Sequence, residues 1–256
     1  MSEWLMLTLS LVASCLVVVA VVVLRRRRAA TEDPSETPDV IEYMTMMIGV
    51  VYAIVLGLAI AGVWEARNAA DEAVSQEAQA LHEVSERVGV YPADERERVR
   101  KDINTYVRYA VTTEWSHMVE HGELTDRGTL LLDRLRKDVA SYEPSTMQQA
   151  QAYQAVVDQV AEADTARTAR ATGAGPTMPG VVWIGLYAGA VIAVGMLFAL
   201  QIQRSGRELV LAGIFSALIA FLLFLVWHFD DPLARGLDDP KEAFATLFPQ
   251  VTASSG

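Results

Sequence analysis

The sequence predicts an all-α membrane protein with four transmembrane helices and a helical extramembrane bundle inserted between spans two and three. Three observations predict it. The 256 residues are 52% hydrophobic, with a mean hydropathy of +0.24, too apolar for an ordinary soluble domain of this length. The apolar residues are gathered into four uncharged runs. Between the second and third runs, apolar residues recur at steps of three and four, and no strand-like alternation of useful length appears.

Composition also excludes. A net charge of −11 argues against nucleic-acid binding, which needs a basic footprint. The one cysteine, Cys15, allows no internal disulfide and no cysteine-cluster metal site. With four histidines the scope for metal binding is small, and no cofactor is expected.

Transmembrane helix 1 is residues 4–24, a run without charge. About 20 residues at about 1.5 Å each cross a hydrocarbon core of roughly 30 Å. Arg25, Arg26, Arg27 and Arg28 follow it. A secretory signal carries its positive charge before the apolar run, so this run reads as an uncleaved helix. Val12-Ala13-Ser14-Cys15 has a slight likeness to a lipidation box, but no basic region precedes it and the apolar run continues past it.

Residues 25–42 form an Arg-rich, then acidic linker, and residues 43–64 are transmembrane helix 2. Thr37 suits a helix cap and Pro38 the first helical position, where its missing N–H costs nothing. No proline follows until Pro92, so span two is expected to run on as one helix to about Val88. Its outer half carries the stripe Ala70, Val74, Ala78, Leu81, Val84 and Val88.

Residues 65–178 are the extramembrane domain. A helix over 93–121 shows Val99, Ile103, Tyr106, Val107, Ala110, Val111, Trp115 and Met118 on one face and stops at Gly122. A third, over 126–141, carries Leu131, Leu132, Leu135 and Val139. A fourth opens on Ser145 and Gln148, spaced as a capping box, and runs to about Ala171 with a weaker stripe: Met147, Ala150, Tyr153, Val157, Val160 and Ala161. The bundle is thin in large apolar residues, so packing on neighbouring copies or on the membrane end of the rod is expected.

Transmembrane helix 3 is 180–203, introduced by Pro176 and Pro179, and transmembrane helix 4 is 209–229, ended by Asp230-Asp231-Pro232. The turn Arg204–Glu208 is so short that these two form an antiparallel hairpin. Residues 230–256 are a C-terminal tail. Lys and Arg in short loops mark the cytoplasmic side. The four arginines of the first linker and Arg204 and Arg207 fall on one side of a four-span protein. That places the Arg-bearing loops in the cytoplasm, and the termini and helical domain outside.

The spans carry small residues at spacing four: Gly49, Ala53, Gly57 and Ala61 on span two, Gly185, Gly189 and Ala193 on span three, and Ala212, Ser216 and Ala220 on span four. In lipid, helices associate by close backbone approach at such residues. Plain helix packing and a pore wall are both open readings. Inside the spans no Asp, Glu, Lys, Arg or His occurs, which argues against a proton-coupled pump. An apolar constriction can still gate a channel by dewetting. Trp64 is an interfacial anchor and Glu65 a solvated terminal charge; His228, near Asp230, reads as interfacial too.

Glu114, His117 and His121 fall on the face of Val99, Ile103, Val107 and Ala110 at 100° per residue. They form a weak candidate metal site or a pH-responsive pair; Glu114 alternatively accepts an Arg or a backbone N–H. There is no phosphate-binding glycine loop, no G-x-S-x-G and no H-E-x-x-H, so no catalytic residue is assigned and an enzyme is the least favoured class.

Four places resemble one family, the bacterial bestrophin-like membrane proteins. Tyr52-Ala53-Ile54-Val55-Leu56-Gly57 with Val63-Trp64-Glu65 is similar to its second span and exit. Tyr106 with Glu114-Trp115 resembles its extramembrane helix, and Pro179 with Trp183 the start of its third span. Phe229-Asp230-Asp231-Pro232 with Gly236 resembles the motif after its fourth. Before span three the family often has an Arg-rich stretch, where Arg167 and Arg170 stand here. The resemblance implies a bacterial multi-pass membrane protein in the lipid bilayer and kinship with the bestrophin anion channels. Those are pentamers whose helical domain between spans two and three is cytoplasmic, opposite to the side the arginines indicate here. Two functions are therefore carried forward: a homo-oligomeric, ion-channel-like assembly, and a non-catalytic membrane scaffold or sensor whose helical domain binds a partner.

Overall fold

The structure, a computed structural model, describes residues 39–199, 206–231 and 242–252. The expected first span, the Thr37–Pro38 cap, the Arg-bearing turn residue Arg204, and Pro232 and Gly236 lie outside the described residues. Every regular element among the described residues is helical. The chain divides into two compact units: one holds residues up to Trp64 with Met178–Asp230, the other Glu65–Thr177 with the residues from Asp231 on.

Helix α1 runs unbroken from Asp39 to Arg87, as the absence of proline predicts. Its residues up to Trp64 belong to the first unit and those from Glu65 to the second. It tightens into a 3₁₀ turn, Val88–Val90, closed by Tyr91 N–H donating to the Val88 carbonyl at 3.0 Å.

In the first unit α1 is joined by α6 (Gly180–Ala199) and α7 (Gly206–Phe229). Their shared core is Tyr52, Leu56, Ala59 and Val63 of α1 with Leu186, Ala190, Ala193, Ile219, Val226 and Phe229. By length and composition, α1 over Tyr43–Val90 and α7 over Val210–Phe229 can each cross a membrane, while Gly180–Met196 is a shorter apolar helix.

The second unit contains the outer half of α1, then α2 (Ala93–Tyr109), a π-helical turn (Ala110–Glu114), α3 (Trp115–His121), α4 (Asp126–Ala140) and α5 (Met147–Thr172). Gly122, at φ +72°, stops α3 with its N–H on the Met118 carbonyl, a left-handed stop that glycine adopts without strain. The cap of α5 sits one residue later than Ser145 and Gln148 predict. Thr146 accepts the Gln149 N–H at 3.2 Å, and the Gln149 side chain accepts the Ser145 N–H at 2.9 Å. The chemistry is that of a capping box; the register is not, because Ser145 and Thr146 both qualify as caps from sequence.

The tail also departs from expectation. Helices α8 (Glu242–Leu247) and α9 (Pro249–Thr252) belong to the second unit, and Phe244, Phe248 and Val251 are buried in its core. Their apolar side chains, with Phe248 edge-on to His82 at 6.0 Å, supply bulk that the four-helix stripes lack.

Candidate functional site

The second unit has charge at its centre. Glu77 of α1, Tyr106 of α2, Glu114 at the end of the π turn and Arg170 of α5 are all fully buried, and Arg167 is 3% exposed. Glu77 occupies the step between Val74 and Leu81 on the apolar stripe of α1, so the helix carries it into the core. Arg167 and Arg170 continue the face of Val156, Val160, Ala163 and Ala166 in the same way. The face expected for this helix is thus corrected: Met147 is 77% exposed, and small residues with two arginines take the core side. Alanine offers little apolar signal, and the arginines were counted as polar.

The contacts saturate the group. Arg167 grips Glu114 through two bonds, Nη2 to Oε1 at 2.5 Å and Nε to Oε2 at 3.2 Å. Arg170 donates from Nε to Glu77 Oε2 at 2.6 Å and from Nη2 to Glu114 Oε2 at 3.1 Å. Its Nη1 meets Met118 Sδ at 3.2 Å, and its guanidinium lies 5.7 Å from the centre of the Trp115 ring, a cation–π distance. Tyr106 donates its hydroxyl to Glu77. Thr125, which caps α4 by accepting the Gly128 N–H at 3.1 Å, turns its own hydroxyl hydrogen to Glu114 Oε1 at 2.8 Å. Two carboxylates balance two guanidiniums, and planar Arg–carboxylate forks satisfy several lone pairs at once. Buried ions persist only when so compensated.

The electrostatics follow. Burial raises the Glu114 pKa, but Arg167 and Arg170 outweigh it and hold the carboxyl below its ordinary value. Burial opposes the charge on Arg170, yet Glu77 and its neighbours hold it firmly protonated. Burial and then Glu77 push the Tyr106 phenol well above its usual range. This cluster has no vacant oxygen for a substrate; its chemistry is cohesion among α1, α2, α4 and α5.

The π turn explains why one sequence expectation fails. It inserts a residue into the register, so the apolar face keeps Trp115 and Met118, both buried as expected, and turns His117 and His121 off it. The two histidines face outward. His117 Nδ1 donates to the Glu123 carbonyl and His121 Nδ1 to the His117 carbonyl, each at 3.1 Å. The metal trio Glu114, His117 and His121 is corrected accordingly: Glu114 turns inward to the arginines. Among the described residues no group of three or more His, Cys, Asp or Glu could hold a metal ion.

A second constellation lies in the first unit. Asp230 is 5% exposed and accepts the Met178 N–H at 2.8 Å and the Trp183 indole N–H at 3.0 Å. It ties the end of α7 to the start of α6, where Pro179 accepts the Val182 N–H at 2.9 Å. Trp64 meets the Phe229 ring edge-on at 5.2 Å, and Glu65 is exposed. His228 is buried and stacks on Phe224, with centroids 5.8 Å apart.

The small-residue stripes divide. Ala193, Ala212, Ser216 and Ala220 are buried, and Gly189 faces Tyr52 so closely that a Cβ there would stand 2.6 Å from the ring. Gly49, Ala53, Gly57, Ala61 and Gly185 are not buried. The buried face of α1 is Tyr52, Leu56, Ala59 and Val63 instead, with Tyr52 donating to the Leu186 carbonyl at 3.2 Å.

The fold is thus an all-helical one, pairing membrane-length apolar helices with a helical unit cored by paired charge. The bestrophin-like domain family matches residues 11–237, and the chain belongs to that family. A solved structure described as the crystal structure of a membrane protein has the same fold, with a TM-score of 0.68 at 13% identity over 98% of each chain. Comparison with curated proteins gives no match. The residues that carry the family resemblance gather in two places: Tyr106, Glu114 and Trp115 in the buried charge cluster, Trp64, Pro179, Trp183 and Asp230 in the first unit.

Proposed function

We propose that the chain is a multi-pass membrane protein that forms a homo-oligomeric, ion-channel-like assembly without enzymatic activity. The observation that supports the reading is the division of the first half of α1 into two faces. Tyr52, Leu56, Ala59 and Val63 are occupied within the chain. Ala53, Gly57 and Ala61 are exposed, and a Cβ at Gly49 or Gly57 would meet nothing within 4 Å. In a bilayer, apolar side chains gain nothing by leaving lipid, so small residues left open favour a second helix. A second copy of this chain is the partner the reading assigns.

Helices 4–24 and 180–203 complete four spans in this reading. The Arg-bearing loops are cytoplasmic and the helical unit extracytoplasmic. Activity of a cytoplasm-only reporter fused at residue 120 and at residue 256 would overturn that orientation. The purified chain should run as one discrete oligomer in detergent and pass ions when reconstituted. A folded oligomer that passes no more than empty liposomes would overturn the channel reading and leave the scaffold or sensor.

A further inference from the structure

Away from the charge cluster, α2 buries a third carboxylate. Asp102 is 5% exposed, yet its surroundings satisfy only one oxygen by an outside cation: Arg134 of α4 reaches Oδ1 with Nε at 3.1 Å. The other oxygen, Oδ2, is buried with no hydrogen-bond partner. Asp138 stands one turn beyond Arg134 on α4, so it shares that face, and its carboxyl interacts directly with Asp102. Two carboxylates are acceptors only. They repel until one takes a proton, and the same contact then becomes an O–H···O bond.

We propose that Asp102 and Asp138 form a proton-binding site at the α2–α4 contact, a pH-sensing element in the helical unit. With the proton bound, the buried Oδ2 gains a partner and one negative charge leaves the contact. With it gone, Arg134, which is 63% exposed, is the remaining interhelical ionic partner of Asp102. The other charge facing Asp102 is Lys101 on its own helix. The 3₁₀ turn (Val88–Val90) and α9 (Pro249–Thr252), which also pack on α2, contain no ionisable side chain; Glu114 of the π turn and Glu77 of α1, which meet α2 elsewhere, are held by Arg167 and Arg170 in the charge cluster. Burial first, then Asp138, raise Asp102 to about 6, against the lowering by Arg134 and Lys101. Because the folded value lies above the unfolded one, the stabilisation is complete below the unfolded value and fades as pH rises through about 6. The inference does not depend on whether the assembly conducts.

The test is infrared titration of the full chain in detergent, following the protonated-carboxyl band from pH 4 to pH 8 in wild type, Asp102→Asn and Asp138→Asn. The expected result is a band that disappears near pH 6 in wild type and is absent in Asp102→Asn. In Asp138→Asn the midpoint should move at least about one pH unit lower, since a like charge is removed and an amide donor supplied. A wild-type band that is gone by pH 5, or a midpoint unmoved in Asp138→Asn, would overturn the proposal. Should Asp102→Asn fail to fold, the Asp138→Asn shift decides alone.

Discussion

Gly128 lies against Glu114 so closely that a Cβ on it would stand 2.0 Å from Oε1 and 2.6 Å from the Nη2 of Arg167. Glycine is there because a buried ion pair occupies the space where a side chain would begin. Gly128→Ala would ordinarily gain some helix stability. Here it should cost about 1–3 kcal/mol, since Glu114 is held by both arginines and cannot withdraw freely. Urea unfolding of the detergent-solubilised chain measures this, and a higher midpoint for the variant would count against the close approach.

Arg170→Met should be more damaging. It leaves Glu77 and part of Glu114 without their cation in the core, and breaking such a pair costs about 3–5 kcal/mol. Arg136→Met is the control, because its ion pairs with Asp133 and Asp164 are solvent-exposed and worth little. Limited proteolysis at fixed urea should cleave the Arg170 variant well before wild type and leave the Arg136 variant unchanged. Equal resistance of all three would contradict the reading of a structural core.

Glu114 also fixes an acid limb. Its folded pKa lies below the ordinary value, so its contribution is present above the unfolded value and is lost as pH falls through the folded one. Stability should therefore drop on acidification below the ordinary carboxylate range. In Glu114→Gln this component of the drop should vanish, although the variant is weaker at neutral pH. Parallel stability curves for wild type and variant below pH 5 would show that Glu114 does not carry the effect.

In the membrane helices the two glycines Gly189 and Gly57 should behave differently. Gly189→Leu drives a side chain into the Tyr52 ring and should impair folding of the single chain. Gly57→Leu meets nothing within 4 Å in its own chain, so the chain should fold and the oligomer should dissociate. Circular dichroism and mass in detergent separate the two outcomes; a Gly57→Leu variant that keeps full assembly would move its stripe from packing to the pore wall.

The helices were legible because proline, glycine and the 3.6-residue period act locally. Proline-free sequence gave α1 its length, and Gly122 gave α3 its end. The charge cluster was less so. Glu77 interrupts an apolar stripe, a signal present in the sequence but easily read as a solvated charge. Arg167 and Arg170 stood out only through the family resemblance, since their alanine-rich face carries little hydropathy. The π turn at Ala110–Glu114 has no simple residue signature, and a single inserted residue was enough to turn His117 and His121 off the apolar face. Gly128 and Thr125 depend on what lies across the bundle, which no local pattern reports. The α8 and α9 helices are short, and their core role comes from a few apolar side chains, Phe244, Phe248 and Val251 chief among them.

The central claim is an oligomeric, ion-conducting assembly, and ion flux through purified protein in liposomes tests it most directly. The full chain, confirmed as a folded oligomer before reconstitution, should release a trapped ion faster than protein-free liposomes. Gly57→Leu, which should fold without assembling, should lose that excess when the same amount of protein is reconstituted. A wild-type oligomer whose flux equals that of empty liposomes would contradict the account.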